Sequence, residues 1–245
     1  MPRPELSAPP EPCILEGVQP LLLELKASVH AQVLAADHPE RAACEAFVHD
    51  VFAARYRADV RAFYPALLEY RDGARQRAVV GMRQAGAGPL FAEQYLGMPA
   101  EQAIGDRFGQ AIAREELVEV GNLALENPGD ARWAIAATIQ FLHESGYRWV
   151  VFTATRVLVN TFQRLGMRPM PLAAALPDSL GAQARQWGDY YRTAPLVCAG
   201  PIAAGFRKIH RSSAVPQPHL DALLATMTRL ARPGQGASDA QREEG

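Results

Sequence analysis

From residue 117 to residue 173 the spacing of apolar side chains switches between a period of two and a period near 3.6, in the order strand, helix, strand, helix, strand. No other feature constrains the fold as much. Strands joined through helices cross over right-handed and need both sheet faces covered, so the pattern predicts an α/β domain around a parallel or mixed sheet. Leu117–Leu125 (LVEVGNLAL) is a strand that carries polar residues at Glu119 and Asn122. A turn at Asn127-Pro128-Gly129-Asp130 leads into a helix over Ala131–Glu144, with Trp133, Ile135, Ile139 and Leu142 for packing and Gly146 as its stop. Residues 149–153 (WVVFT) form a strand apolar enough to be buried on both faces. Residues 156–165 form a helix ended by Gly166, and 167–173 a further strand.

Upstream, Ala43, Phe47, Val51 and Phe52 fall at helical spacing within 39–56. Two β-like runs, 64–71 and 77–84, flank Asp72-Gly73, a hairpin signal that adds antiparallel strands at the sheet edge. Residues 90–104 read as one or two short helices interrupted near Pro99, 191–202 as a last strand and 219–230 as a C-terminal helix. With 245 residues and 49% hydrophobic content the chain can bury one large core, and no linker or repeat divides it. We therefore expect a single domain over 17–231, a flexible leader over 1–16 and a disordered tail over 232–245.

A net charge of −1 gives no global field for nucleic acid or an anionic membrane. The longest uncharged run, 193–206, is broken by Pro195, Gly200, Pro201 and Gly205, so it predicts no transmembrane segment. The leader has proline and acid where a signal peptide needs an apolar core. Cys13, Cys44 and Cys198 make neither a disulfide framework nor a zinc set, which fits a reducing, cytoplasmic setting. The dispersed histidines predict no metal site, and nucleophile-elbow, P-loop and dinucleotide motifs are missing from the sequence.

The order of elements resembles the acyltransferases of the GNAT superfamily. More specifically, VVGMRQAGAGPLFAEQYL (79–96), VEVGNLAL (118–125), VVFTATRVLVNTFQRLGM (150–167) and WGDYYRTAPLVCAGPI (187–202) resemble the thermostable hemolysin family. A looser likeness links Gly81-Met82-Arg83, Gly88-Pro89 and Glu119 to the acyl-homoserine-lactone synthases. There the family's Ser-Arg pair is replaced by Gly121-Asn122, so its S-adenosylmethionine acceptor is not carried over. The resemblance implies a GNAT-like fold with a mixed, splayed central sheet and helices on both faces. It also implies an N-acyltransferase moving an acyl group from a thioester to a small amine or amino-acid-like acceptor. The family name implies an alternative, a membrane-active protein, and a non-catalytic ligand-binding protein is a third reading.

Amide formation from a thioester needs a base for the amine, donors for the oxyanion and an acid for the leaving thiolate. Glu119 is the first candidate base, against a structural carboxylate paired with a strand or an arginine. Asn122 shares its face only if a bulge at Gly121 shifts the alternation. Arg83 holds an acceptor carboxylate or pairs with Glu119. Glu93, Gln94 and Tyr95 are candidates for the acceptor pocket, or face water. One of Thr153 and Thr155 caps the following helix. GNAT enzymes place an acidic Tyr four residues before the helix-ending glycine; here that position is Phe162, which leaves Tyr190 or Tyr191 as substitutes.

The GNAT pyrophosphate loop is replaced by residues 126–132 (ENPGDAR), with an acid on each side of one glycine. That disfavours a tightly bound coenzyme A as cofactor and favours the acyl-phosphopantetheine of an acyl carrier protein over acyl-CoA as donor. Arg132, Arg148, Arg156 and Arg164 would then dock the acidic carrier, or are simply solvated charge. If Glu119 is the base, Glu119→Gln leaves stability nearly intact; if it belongs to a buried pair, the same change destabilises the fold.

Overall fold

The computed structural model describes residues 28–211 and 218–232. The leader over 1–16 and positions 233–245 of the expected tail lie outside the described residues. Within them the chain builds a seven-stranded sheet in the spatial order β1-β2-β3-β4-β5-β7-β6. The strands are β1 (His30–Leu34), β2 (Ala66–Asp72), β3 (Arg75–Gln84), β4 (Leu117–Leu125), β5 (Trp149–Ala154), β6 (Met170–Ala174) and β7 (Leu196–Pro201). The helices are α1 (Arg41–Tyr56), α2 (Glu93–Leu96), α3 (Ala100–Phe108), α4 (Ala131–Glu144), α5 (Arg156–Arg164), α6 (Ile202–Arg211) and α7 (Pro218–Ala231). Only β4 and β5 pair in parallel; the remaining neighbours are antiparallel.

Three expectations need correcting. The β2–β3 hairpin does not form the edge, because β1 pairs outside it with Leu34 opposite Leu67, and β3 pairs with β4. The strand β6 does not lie beside β5: β7 comes between them and β6 takes the far edge. The C-terminal strand begins at Leu196 rather than 191, and Tyr190–Thr193 is a single 3-10 turn.

The helices sort to the two faces by which strand residues are apolar. On one face α4, α6 and α7 cover Leu68, Tyr70, Val80, Met82 and Val118. Nearly all of α4 is buried, which is why its apolar positions exceed a single stripe. On the other face Cys44, Val48 and Phe52 of α1 meet Leu34, Leu67, Val79 and Ala124. Further along that face, α2 and α3 close over Leu117, Trp149 and Val151. Cys198 is a buried core residue of β7.

Two departures from regularity in β4 create the site. Gly81 of β3 faces Gly121, but Val79 faces Ala124, so Val80 is matched by both Asn122 and Leu123. This is a bulge, and Asn122 occupies it at φ 47°. The extra residue resets the alternation, which turns Leu123 and Leu125 toward α4 and Ala124 toward α1. The second departure is splay: β4 and β5 pair from Leu117 opposite Trp149 only as far as Val120 opposite Phe152.

Candidate active site

Beyond Val120 and Phe152 the diverging strands enclose a cavity of about 220 Å³ with walls on both faces of the sheet. Its α4 side is apolar, formed by Leu123, Leu125, Ile135, Ile139, Leu142, Leu158 and Phe162. Its α1 side is aromatic, formed by Phe52, Tyr56, Tyr64, Phe91, Tyr95, Trp187 and Tyr190, with Arg55 and Arg83 among them. Among the described residues no carboxylate lines it.

Tyr64 lies over the two facing glycines. A Cβ at Gly121 would stand 2.5 Å from Tyr64 Oη, and one at Gly81 would stand 2.8 Å from Tyr64 Cβ. Here glycine is required by the close approach of a ring, not by backbone conformation. The Tyr64 backbone N–H donates to Asn122 Oδ1 at 3.2 Å, so the bulge residue also holds this segment. The Arg83 guanidinium stacks on the Tyr64 ring, 5.5 Å from its centroid, and donates to Pro89 O at 2.9 Å.

Glu119 is 1% exposed and stands behind Tyr64, outside the cavity wall. Its carboxylate accepts the backbone N–H of Phe91 at 2.8 Å and of Ala92 at 2.7 Å. The Tyr64 hydroxyl stands beside it and favours its charged form. Arg83 sits opposite Glu119 in register but makes no ion pair with it. Burial pushes the Glu119 carboxyl above the usual carboxylate range; the two backbone donors, Tyr64 and Arg83 offset part of that. Burial, then the charge of Glu119, pushes the Tyr64 phenol well above its ordinary value.

The remaining sequence candidates separate. Of the 93–95 cluster only Tyr95 lines the cavity, its hydroxyl 2.7 Å from that of Tyr191. Gln94 is exposed and donates to Phe91 O at 3.4 Å. Glu93 is bound to Arg114 at 2.6 Å and accepts the N–H groups of Leu90 and Ala100, so it braces the loop around α2 instead of facing the cavity. Thr153 and Thr155 both line the cavity, and Thr155 caps α5 by accepting the Leu158 N–H at 3.3 Å. Tyr190 is a buried part of the wall. Phe162 stacks on Phe152 at 5.0 Å and carries no acidic proton to the site.

Arg156 and Arg164 are exposed at opposite ends of α5, separated by about 12 Å of helix rise. Arg132 is half-buried in the first turn of α4, and Arg148 pairs with Glu116 at 3.2 Å. In the loop before α4, Asp130 accepts Arg77 at 3.0 Å and the Trp133 indole N–H at 2.9 Å. Glu126 pairs with Arg75 and Arg77. These acids hold the loop onto β3, and neither forms part of a glycine-rich phosphate cradle. Among the described residues no His, Cys, Asp and Glu cluster could hold a metal ion.

Sequence reasoning missed Tyr64, Arg55, Tyr56 and Trp187 as wall residues. One signal was present: Gly81 and Gly121 each interrupt an apolar strand, and in-register glycines mark a close approach.

The splayed sheet, the bulged fourth strand and the helices on both faces define a GNAT-like fold. Three solved structures share it at low sequence identity. FeeM, an N-acyl amino acid synthase from uncultured soil microbes, matches with a TM-score of 0.51 at 15% identity, covering 74% of this chain and 93% of its own. The AHL synthase LasI matches with a TM-score of 0.55 at 11% identity, covering 78% and 99%. The CoA-dependent acyl-homoserine lactone synthase BjaI, solved with SAM and isopentyl-CoA, matches with a TM-score of 0.52 at 16% identity, covering 82% and 98%. The chain belongs to the thermostable hemolysin family, whose model matches residues 34–206. No curated protein sequence matches it.

Proposed function

We propose that the protein is an N-acyltransferase that moves an acyl chain from a thioester to the amine of a small, carboxylate-bearing acceptor. One observation carries this reading: the cavity joins an apolar wall and an aromatic, arginine-bearing wall through the gap between β4 and β5. An acyl chain is matched to the α4 side, where burying each methylene contributes about 0.8 kcal/mol. The acceptor is matched to the α1 side. Two guanidiniums and no carboxylate line the described wall, which favours an anionic group there, as in an amino acid.

The reacting carbonyl then lies in the splay. Asn122 keeps its amide NH2 available beside it, because its Oδ1 is engaged by the Tyr64 N–H, and that NH2 serves as a donor to the oxyanion. Glu119 is the ultimate proton acceptor. The acids of the 126–130 loop favour the phosphopantetheine arm of an acyl carrier protein as donor, with Arg132, Arg156 and Arg164 as its docking charges. Arg132 lies in the first turn of α4 and Arg156 begins α5, helices that line the cavity.

The test offers purified protein acyl carrier protein or coenzyme A thioesters of graded chain length, each with a panel of amino acids and with amines lacking a carboxylate. Mass spectrometry reads the product. Amide formed from amino acids, faster from the carrier than from coenzyme A, is the expected result. No amide from any pair, with leakage of liposomes instead, overturns the reading. Among the described residues no helix is long and apolar enough to cross a membrane.

A further inference from the structure

The group best suited to be the base does not line the cavity, whereas Tyr64, whose hydroxyl stands beside it, does. Glu119 is outside the wall and Tyr64 is in it. The carboxylate is fixed from behind by the N–H groups of Phe91 and Ala92. In front of it the Tyr64 ring is seated on Gly81 and Gly121, where any side chain at either position would collide with it. Arg83 on the ring and Asn122 on the backbone N–H complete the seat. Four residues of β3 and β4 therefore seat one phenol in the cavity wall beside a buried carboxylate. The glycines admit the ring this close to the strands, and Glu119 stands beside its hydroxyl.

We propose that Tyr64 is a catalytic proton relay, carrying the proton of the attacking amine to Glu119 and returning it to the leaving sulfur. The proposal rests on the acyl-transfer reading above. As the amine nitrogen bonds to the thioester carbon, its proton passes to Tyr64 Oη while the tyrosine hydroxyl proton passes to a Glu119 oxygen. When the tetrahedral carbon collapses the C–S bond breaks, and the proton returns from Glu119 through Tyr64 to the thiolate. Amine and thioester become amide and thiol, with no proton left over. The relay also supplies the acid that Phe162 cannot. The titratable and charged groups facing this pair are Arg83 from β3, Tyr95 from α2 and Tyr190 from the turn before β7.

Tyr64→Phe keeps the ring on its glycines and removes only the hydroxyl. Turnover is expected to fall about 100-fold or more, with KM little changed and the melting temperature lowered only modestly. The acidic limb of the wild-type kcat/KM profile, set by Glu119, is expected to vanish from the residual activity. A separate readout needs no activity: carbon NMR titration of labelled glutamate should show the Glu119 pKa moving upward in Tyr64→Phe, because a donor to its charged form is gone. A variant with normal turnover, or an unmoved Glu119 titration, overturns the relay. If wild-type protein makes no amide from any donor, acyl transfer is overturned instead, and the titration still decides whether the two groups share a proton.

Discussion

A carboxylate that is 1% exposed, with no described lysine or arginine at ion-pair distance, needs its charge held by dipoles, and Glu119 finds them in two backbone N–H groups, with the Tyr64 phenol beside it. That arrangement revises the expectation for Glu119→Gln. Glutamine keeps one acceptor oxygen and turns an NH2 toward a backbone N–H that already donates. We expect the variant to lose on the order of 2–3 kcal/mol of stability as well as turnover, measured by denaturant unfolding beside the acyl-transfer assay. An unchanged midpoint would show that the loop over 88–92 does not depend on this carboxylate. The sequence placed Glu119 on a strand, but the donors it meets come from residues 27 and 28 positions earlier in the chain.

At the scale of an element, α5 is the weakest wall of the cavity. It has no fully buried residue, so little burial holds it, and its start depends on Thr155 accepting the Leu158 N–H. Capping threonines are worth about 1 kcal/mol. Thr155→Ala should lower global stability by about that amount and speed hydrogen exchange across Arg156–Arg164 more than across α4. Equal exchange in both helices would show that packing, not the cap, holds α5. The existence of α5 was legible, because Gly166 stops a periodic run after a Thr. The twist of β4 away from β5 was not: it depends on where pairing ends, and no residue in either strand announces that end.

Across the whole molecule, two of the described carboxylates, Glu119 and Glu93, respond to pH in opposite senses. Burial raises Glu119 in the folded state, so its contribution is full below the unfolded value near 4.5 and is lost as pH rises through the folded value. Burial also works to raise Glu93, but Arg114 and the N–H groups of Ala100 and Leu90 outweigh it and hold it low. Its contribution is therefore present above about 4.5 and lost as pH falls through the folded value. Melting temperature should rise modestly on acidification from neutrality toward 5, then fall below about 4.5. In Glu119→Gln the first rise should disappear and the acid fall remain. A monotonic decline from neutrality in wild-type protein would contradict the raised Glu119.

The sequence by itself determined the elements from 117 to 166, because a period of two or of 3.6 is set by neighbours in the chain and by the glycines that stop it. It also supplied both strand glycines and the polar residues of β4. Only the tertiary structure decided what those residues face. The order β5-β7-β6, the short edge strand β1 and the seat of Tyr64 depend on pairings between segments far apart in sequence, which local propensity does not encode. The same holds for the site: Glu119 became a buried acceptor behind Tyr64, and Glu93 a brace for Arg114, through backbone donors and arginines that only the closed fold brings within hydrogen-bonding distance.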